Sequence, residues 1–209
     1  MKRNHYFAII LVAAAIILHS CNTGQNKESD SGKKSVAIEA ASLNVDLAKS
    51  FLFWKGEMLG LYSHEGIINI SEAELTVSDG AVASGSFTVD MSSITPTDEA
   101  YSVEEGRTKE RLVQHLSSPD FFDVENHPVS TFTIKKVDGS SITGDLTIRG
   151  ITHEETVRNV QISKESDESY KITGELTFDR TKYDVKFQMT LQDMVLSDDI
   201  QLKIELIAS

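Results

Sequence analysis

The chain has one cysteine, Cys21, so it can close no intrachain disulfide. Its almost unbroken apolar run, residues 7–18, is too short to cross a bilayer: as a helix it would span about 18 Å against a hydrocarbon core of about 30 Å. Basic side chains are also scarce, with 20 Lys and Arg against 32 Asp and Glu and a net charge of −12. Such a surface is a poor phosphate binder, so no nucleic-acid partner is expected, and adhesion of the folded part to anionic lipid is disfavoured. Local signatures of catalysis are missing too. The sequence contains no G-x-S-x-G elbow, P-loop, dinucleotide fingerprint or calcium loop. His153 opens a stretch that begins like a zinc-protease motif, but Val157 stands where the second histidine is required. No cofactor and no metal are expected, and His64, His115, His127 and His153 are assigned surface or structural roles. An active site assembled from distant strands would leave no local motif, so an enzyme remains a third reading behind the two given below.

What is present begins with export. Lys2 and Arg3 precede the apolar run, and Leu18-His19-Ser20-Cys21 resembles a bacterial lipobox, with His19 a departure at its position. Residues 1–20 read as a signal peptide, and Cys21 as the acceptor of a diacylglycerol that would anchor the chain to a membrane. Residues 21–35 are polar and aperiodic, the composition of a flexible tether with an end-to-end distance of roughly 20 Å. The folded domain is then residues 36–209. A cell-envelope location follows, with the outer membrane favoured because Asn22, not aspartate, follows the acceptor cysteine.

Within that domain the apolar residues recur with period two, the mark of strands with one wet face. Leu52, Trp54 and Met58 share a side, as do Phe87, Val89 and Met91, then Ile142, Leu146 and Ile148, then Ile172, Leu176 and Phe178, then Leu202, Ile204 and Leu206. Turn signals at Asp79-Gly80, at Asp138-Gly139 and across residues 164–169 separate them by short connections, which makes neighbouring strands antiparallel. About eight such strands curl into a barrel or split into a sandwich. One helix is expected over residues 104–116, ended by Pro119 and capping the sheet with Phe121 and Phe122. Gly144 and Gly174, in the near-repeat ITGDLTI and ITGELTF, are placed at strand bends.

Four phrases in fixed order are more specific: SFTVDMSSIT at residues 86–95, HLSSPDFFDV at 115–124, PVSTF at 128–132 and ITGDLTIRGITH at 142–153. With Ser50, Trp54, Gly56, the His64-Glu65-Gly66 step, the FDRTKY run and Asp198-Asp199-Ile200, they make most of residues 43–208 resemble the YceI-like family, lipocalin-like polyisoprenoid-binding proteins of the bacterial envelope. The resemblance implies an elongated antiparallel barrel of eight strands with a small helical insertion.

It also implies a ligand, an isoprenoid-type apolar lipid (polyisoprenoid or quinone) held in the barrel lumen for carriage or storage. The lining chosen from alternation is Trp54, Phe87, Val89, Phe132, Ile134, Leu146, Ile148, Leu176 and Phe178. Gly56, Gly85, Gly144 and Gly174 interrupt the apolar faces and leave room for a cavity. The acidic balance favours a neutral head group over a diphosphate, with Arg180 and Lys182 near a rim as a local counterweight. The rival is a barrel filled by its own side chains, acting as a structural or interaction lipoprotein in envelope stress or assembly. Interior volume separates the two.

Overall fold

The computed structural model describes residues 41–209 apart from Val103, Glu105, Asp167 and residues 189–194. The signal peptide, Cys21 and the tether lie outside the described residues. The strands are β1 (Ala41–Leu43), β2 (Phe51–Met58), β3 (Tyr62–Ser78), β4 (Ala81–Asp90), β5 (Thr95–Pro96), β6 (Val129–Asp138), β7 (Ser141–Ile148), β8 (Ile151–Lys164), β9 (Tyr170–Asp179) and β10 (Leu196–Ala208), with α1 (Lys109–Ser117) between β5 and β6. Eight of these form a closed antiparallel ring in the order β3-β2-β10-β9-β8-β7-β6-β4, and β4 pairs with β3 to complete it. The short β1 and β5 attach to β3. Closure leaves none of the eight as a free edge.

Closure depends on two long strands that change partner midway. β3 bonds β2 through Asn69 and β4 from Ile70 onward; β8 bonds β7 through Val157 and β9 from Arg158. Each change coincides with one extra residue, around Ser71 in β3 and Asn159 in β8. An extra residue sharpens the local twist and moves the following side chains to the opposite face. Thus Ile68 and Ile70 point inward on even numbers before Ser71, whereas Leu75 and Val77 are buried on odd numbers after it. In β8 the switch runs from Val157 to Val160, and Asn159 takes the left-handed backbone (φ 55) that asparagine tolerates. The same device recurs at Ala83 in β4 and at Lys135 in β6, the latter beside Gly144. Gly174 lies opposite the β8 bulge. Both glycines therefore sit where strands bend.

Tight turns follow the local chemistry. Asp79-Gly80 and Arg149-Gly150 are two-residue hairpin connections with positive φ at both positions. The turn expected at Asp138-Gly139 forms one residue later, at Gly139-Ser140, because Asp138 stays paired with Ser141. The helix is shorter than the expected 104–116. Gly106 adopts φ 69 and Ser102 bridges Arg107, which turns the chain before a helix can begin. Thr108 then caps it, its side chain accepting from the Arg111 N–H at 3.3 Å.

Gly66 marks a close approach: a Cβ there would lie 2.2 Å from the Thr95 carbonyl oxygen and 2.7 Å from the Trp54 ring. The missing side chain lets β5 pair closely with β3 at Gly66 and lets the Trp54 ring approach it. Trp54 Nε1 donates to the Ile67 carbonyl at 3.2 Å, which satisfies its polar atom without breaking the apolar interior.

Candidate functional site

The inward faces of the eight strands do not meet. They enclose a cavity of about 760 Å³, inside the 300–1,000 Å³ range of small-molecule sites. Among the described residues the barrel is not filled by its own side chains. All nine residues chosen from alternation line the cavity: Trp54 from β2, Phe87 and Val89 from β4, Phe132 and Ile134 from β6, Leu146 and Ile148 from β7, Leu176 and Phe178 from β9. The same period-two logic extends the wall to Leu52, Ile68, Ile70, Ile172, Leu202 and Ile204, which the choice omitted.

The glycine expectation holds in part. Gly56 and Gly174 line the cavity, whereas Gly85 and Gly144 do not. A Cβ on Gly144 would lie 2.4 Å from the Thr133 carbonyl oxygen and 2.6 Å from the Phe132 ring, so its space is taken by Phe132. There the missing side chain permits close packing and creates no void.

Polar lining gathers toward α1. Tyr62, His64, Tyr101, Arg107, Thr108, Arg111, His115 and Asp120 all reach the cavity wall there. Sequence reasoning missed this set, because it is assembled from distant pieces of chain: Tyr62 and His64 from β3, Tyr101, Arg107 and Thr108 from the irregular segment between β5 and α1, Arg111 and His115 from α1, and Asp120 after it. Asp98 organises it. Its carboxylate accepts from the Glu65 N–H (3.1 Å), the Ala100 N–H (3.0 Å) and the Tyr101 hydroxyl (2.9 Å), and faces His64 Nδ1 at 3.2 Å. Burial works to raise the Asp98 pKa, but these hydrogen bonds outweigh it and hold the group below the ordinary aspartate value. The ionised carboxylate can only accept, so His64 carries its proton on Nδ1. Tyr101 stacks on the His64 ring at 5.2 Å and Tyr62 meets it edge-on at 5.2 Å. Tyr101, half-buried and bonded to a carboxylate, is pushed well above the ordinary phenol value.

Arg180 corrects an expectation. It is not a rim cation: only 1% of it is exposed, and it donates to the Ser197 carbonyl and the Val185 carbonyl and pairs with Asp198. Lys182 pairs with Glu155 at 3.6 Å. Among the described residues, Arg107 and Arg111 are the Lys and Arg side chains on the cavity wall, and Arg111 Nη1 donates to the Gly106 carbonyl at 2.9 Å.

With this geometry in place, residues 43–208 match the YceI-like domain. The chain belongs to the YceI-like family. Among curated relatives, a UPF0312 protein of Staphylococcus epidermidis strain RP62A is 39% identical over 83 residues, covering 37% of this chain and 48% of that one. A UPF0312 protein of Staphylococcus aureus strain USA300 is 36% identical over 96 residues, 43% of this chain and 56% of that one. The chain thus spans about half the length of the curated relatives it matches. Among solved structures, BcnA of Burkholderia cenocepacia superposes with a TM-score of 0.61 at 22% identity, covering 79% of this chain and 100% of BcnA. A polyisoprenoid binding domain from Saccharophagus degradans, implicated in plant cell wall breakdown, superposes with a TM-score of 0.53 at 14% identity, covering 82% and 99%. At those identities the two structures show a shared fold.

The histidines of this YceI-like barrel are held individually. His127 lies 3.9 Å from Asp123, and His153 Nε2 is 3.0 Å from the Lys182 carbonyl oxygen. Among the described residues, no group of three His, Cys, Asp or Glu side chains could hold a metal. His115 sits on the cavity wall with its ring edge-on to Phe121 and Phe187. Burial pushes its pKa below the ordinary value, against a smaller opposing pull from Asp120. The folded barrel thus resists a proton that the unfolded chain accepts near pH 6.5. Its contribution to stability is intact above that pH and declines as the pH falls from there toward the lower folded value. We expect the urea midpoint to drop between pH 7.5 and 5.5, and to drop less in His115→Gln. Equal drops in both proteins would assign the pH dependence to other groups.

Proposed function

We infer that the protein is a carrier or store for an isoprenoid-type apolar lipid, polyisoprenoid or quinone, held in the barrel lumen without covalent chemistry. The observation that carries this reading is the hollow itself: a cavity of about 760 Å³ whose wall is mainly aliphatic and aromatic, with its charged side chains gathered toward α1. A long apolar chain placed there leaves water with a gain of roughly 25 cal/mol per Å² buried, and the polar end of the cavity receives the head group. Membership of the YceI-like family and the superposition on a polyisoprenoid binding domain support it. A neutral head group fits better than a diphosphate, since the two wall arginines are accompanied by Asp120 and, behind His64, by Asp98. We place the protein in the cell envelope, attached through acylated Cys21 to a membrane, the outer one in preference, with the barrel facing the periplasm or the exterior. Organic extraction of natively expressed protein followed by mass spectrometry tests the ligand. A stoichiometric isoprenoid lipid is expected; a bound diphosphate would overturn the head-group assignment, and a ligand of another class would overturn the carrier.

A further inference from the structure

The three most exposed large apolar side chains among the described residues are not scattered. Leu61 (57% exposed), Val195 (55%) and Leu59 (49%) lie together where the β2–β3 turn meets the start of β10. The Leu59 N–H donates to the Val195 carbonyl at 2.8 Å, and Met58 pairs with Leu196 alongside. Met58, Tyr62 and Leu196, the immediate chain neighbours of the exposed three, line the cavity. The outer apolar patch therefore adjoins the cavity wall at the barrel rim, one residue away along the chain at each of three points, on the side where Tyr62 and His64 lie.

We propose that this turn is a bilayer-docking tip, inserted into the interfacial layer of a neutral membrane so that an apolar chain passes between bilayer and cavity without crossing water. The inference rests on the carrier reading above. Several features favour a lipid surface as the occupant. No Asp, Glu, Lys or Arg occurs between Glu57 and Glu65, so the β2–β3 turn itself carries no ionic side chain of those kinds into the membrane. Its backbone is prepared for a low-dielectric layer, because the Leu59 N–H is bonded to Val195 and the Leu61 N–H donates to the Met58 carbonyl at 3.0 Å. Gly60, at φ 75, holds the apex, and a Cβ there would meet nothing within 4 Å, so the tip stands clear of the barrel. Three aliphatic side chains are far short of the roughly 800 Å² per partner of a stable protein interface, and they lack the Trp, Tyr and Arg anchors such interfaces use. The net charge of −12 disfavours an anionic surface and leaves a zwitterionic one as the fit.

The test uses the full chain in a Cys21→Ser background, so that every variant has the same unacylated N-terminus, with phosphatidylcholine vesicles and a fluorescent farnesyl probe. Leu59→Asp with Leu61→Asp is expected to slow probe transfer from vesicles at least tenfold while leaving its equilibrium affinity in detergent unchanged. The milder Leu59→Ser with Leu61→Ser is expected to fall between. A bimane label on Leu61→Cys should shift to the blue with vesicles and be quenched by brominated lipid, whereas one on Thr177→Cys, exposed on the outer face of β9, should not. Unchanged transfer, an equal loss in detergent, or a dimer that the Asp variants dissolve would each overturn the docking tip. If the parent protein fails to bind the probe in detergent while the Leu61→Cys label still enters the bilayer, the carrier reading fails and the membrane-contacting tip survives.

Discussion

Placing tryptophans at Leu146 and Leu176 together should abolish most ligand loading and leave the barrel folded. Leu146 and Leu176 both end in the cavity, one from β7 and one from β9, on either side of β8. In a close-packed core, inserting bulk costs about 1–3 kcal/mol per site through strained rotamers and shifted backbone. Here the added rings have a hollow to enter, so the cost to stability should be smaller than in a filled core. The ligand loses that space instead. We expect the affinity for a farnesyl or longer probe to fall by at least about tenfold, equivalent to ~1.4 kcal/mol, with little change in thermal midpoint. Leu146→Ala is the matching control, since it widens the hollow and should retain binding. Undiminished binding in the double tryptophan variant would move the ligand out of the barrel. Severe destabilisation with no folded protein would mean that the interior has no room to give.

That alternation places the nine residues on the cavity wall, and is silent elsewhere, has a common cause. Runs such as Phe87-Val89 and Leu176-Phe178 lie within unbroken stretches of pairing, where every second residue faces inward. β8 was harder to read because its inward residues change parity across Asn159, and a window spanning the bulge averages two phases to nothing. β3 suffers the same loss at Ser71. Nothing in the residue type of Ser71 or Ala83 announces an extra residue; only the partner strand's register does. The helix start was misplaced for a related reason. Residues 104–107 have helix-compatible charges, but Gly106 in the left-handed region and the Ser102–Arg107 bridge depend on contacts that a local pattern does not contain. The polar end of the cavity was invisible because Asp98 and Tyr101 stand in a stretch with no periodicity, and they meet His64 only once β5 has paired with β3. Arg180, expected near a rim as a local counterweight to the acidic balance, is buried instead, and its surroundings, not its charge, decide what it does.

Arg180→Ala should therefore be among the most damaging single substitutions outside the cavity, at about 3 kcal/mol. The guanidinium donates Nε to the Ser197 carbonyl at 3.0 Å, Nη1 to the Val185 carbonyl at 2.6 Å and Nη2 to Asp198 at 2.9 Å. It ties the 3-10 turn Arg180–Tyr183 and the buried Val185 to the beginning of β10. The ion pair contributes the smaller share, because the Asp198 side chain is 62% exposed and solvent screens such pairs to about 0–1 kcal/mol. The two carbonyls carry the larger one. Without the guanidinium each loses its donor beside the buried Tyr183 and Val185, at roughly 1–3 kcal/mol apiece. Arg180→Lys should recover only part of the loss, since one ammonium cannot reach three acceptors set for a planar fork. Asp198→Asn should cost under about 1 kcal/mol. Urea midpoints of the three variants would rank them, and an Asp198→Asn effect as large as that of Arg180→Ala would show that the charge pair dominates. The latch also bears on the ligand. Tyr183 packs edge-on against Phe178 at 5.5 Å, and Phe178 and Ile200 form part of the cavity wall, so releasing the turn should loosen binding along with the fold.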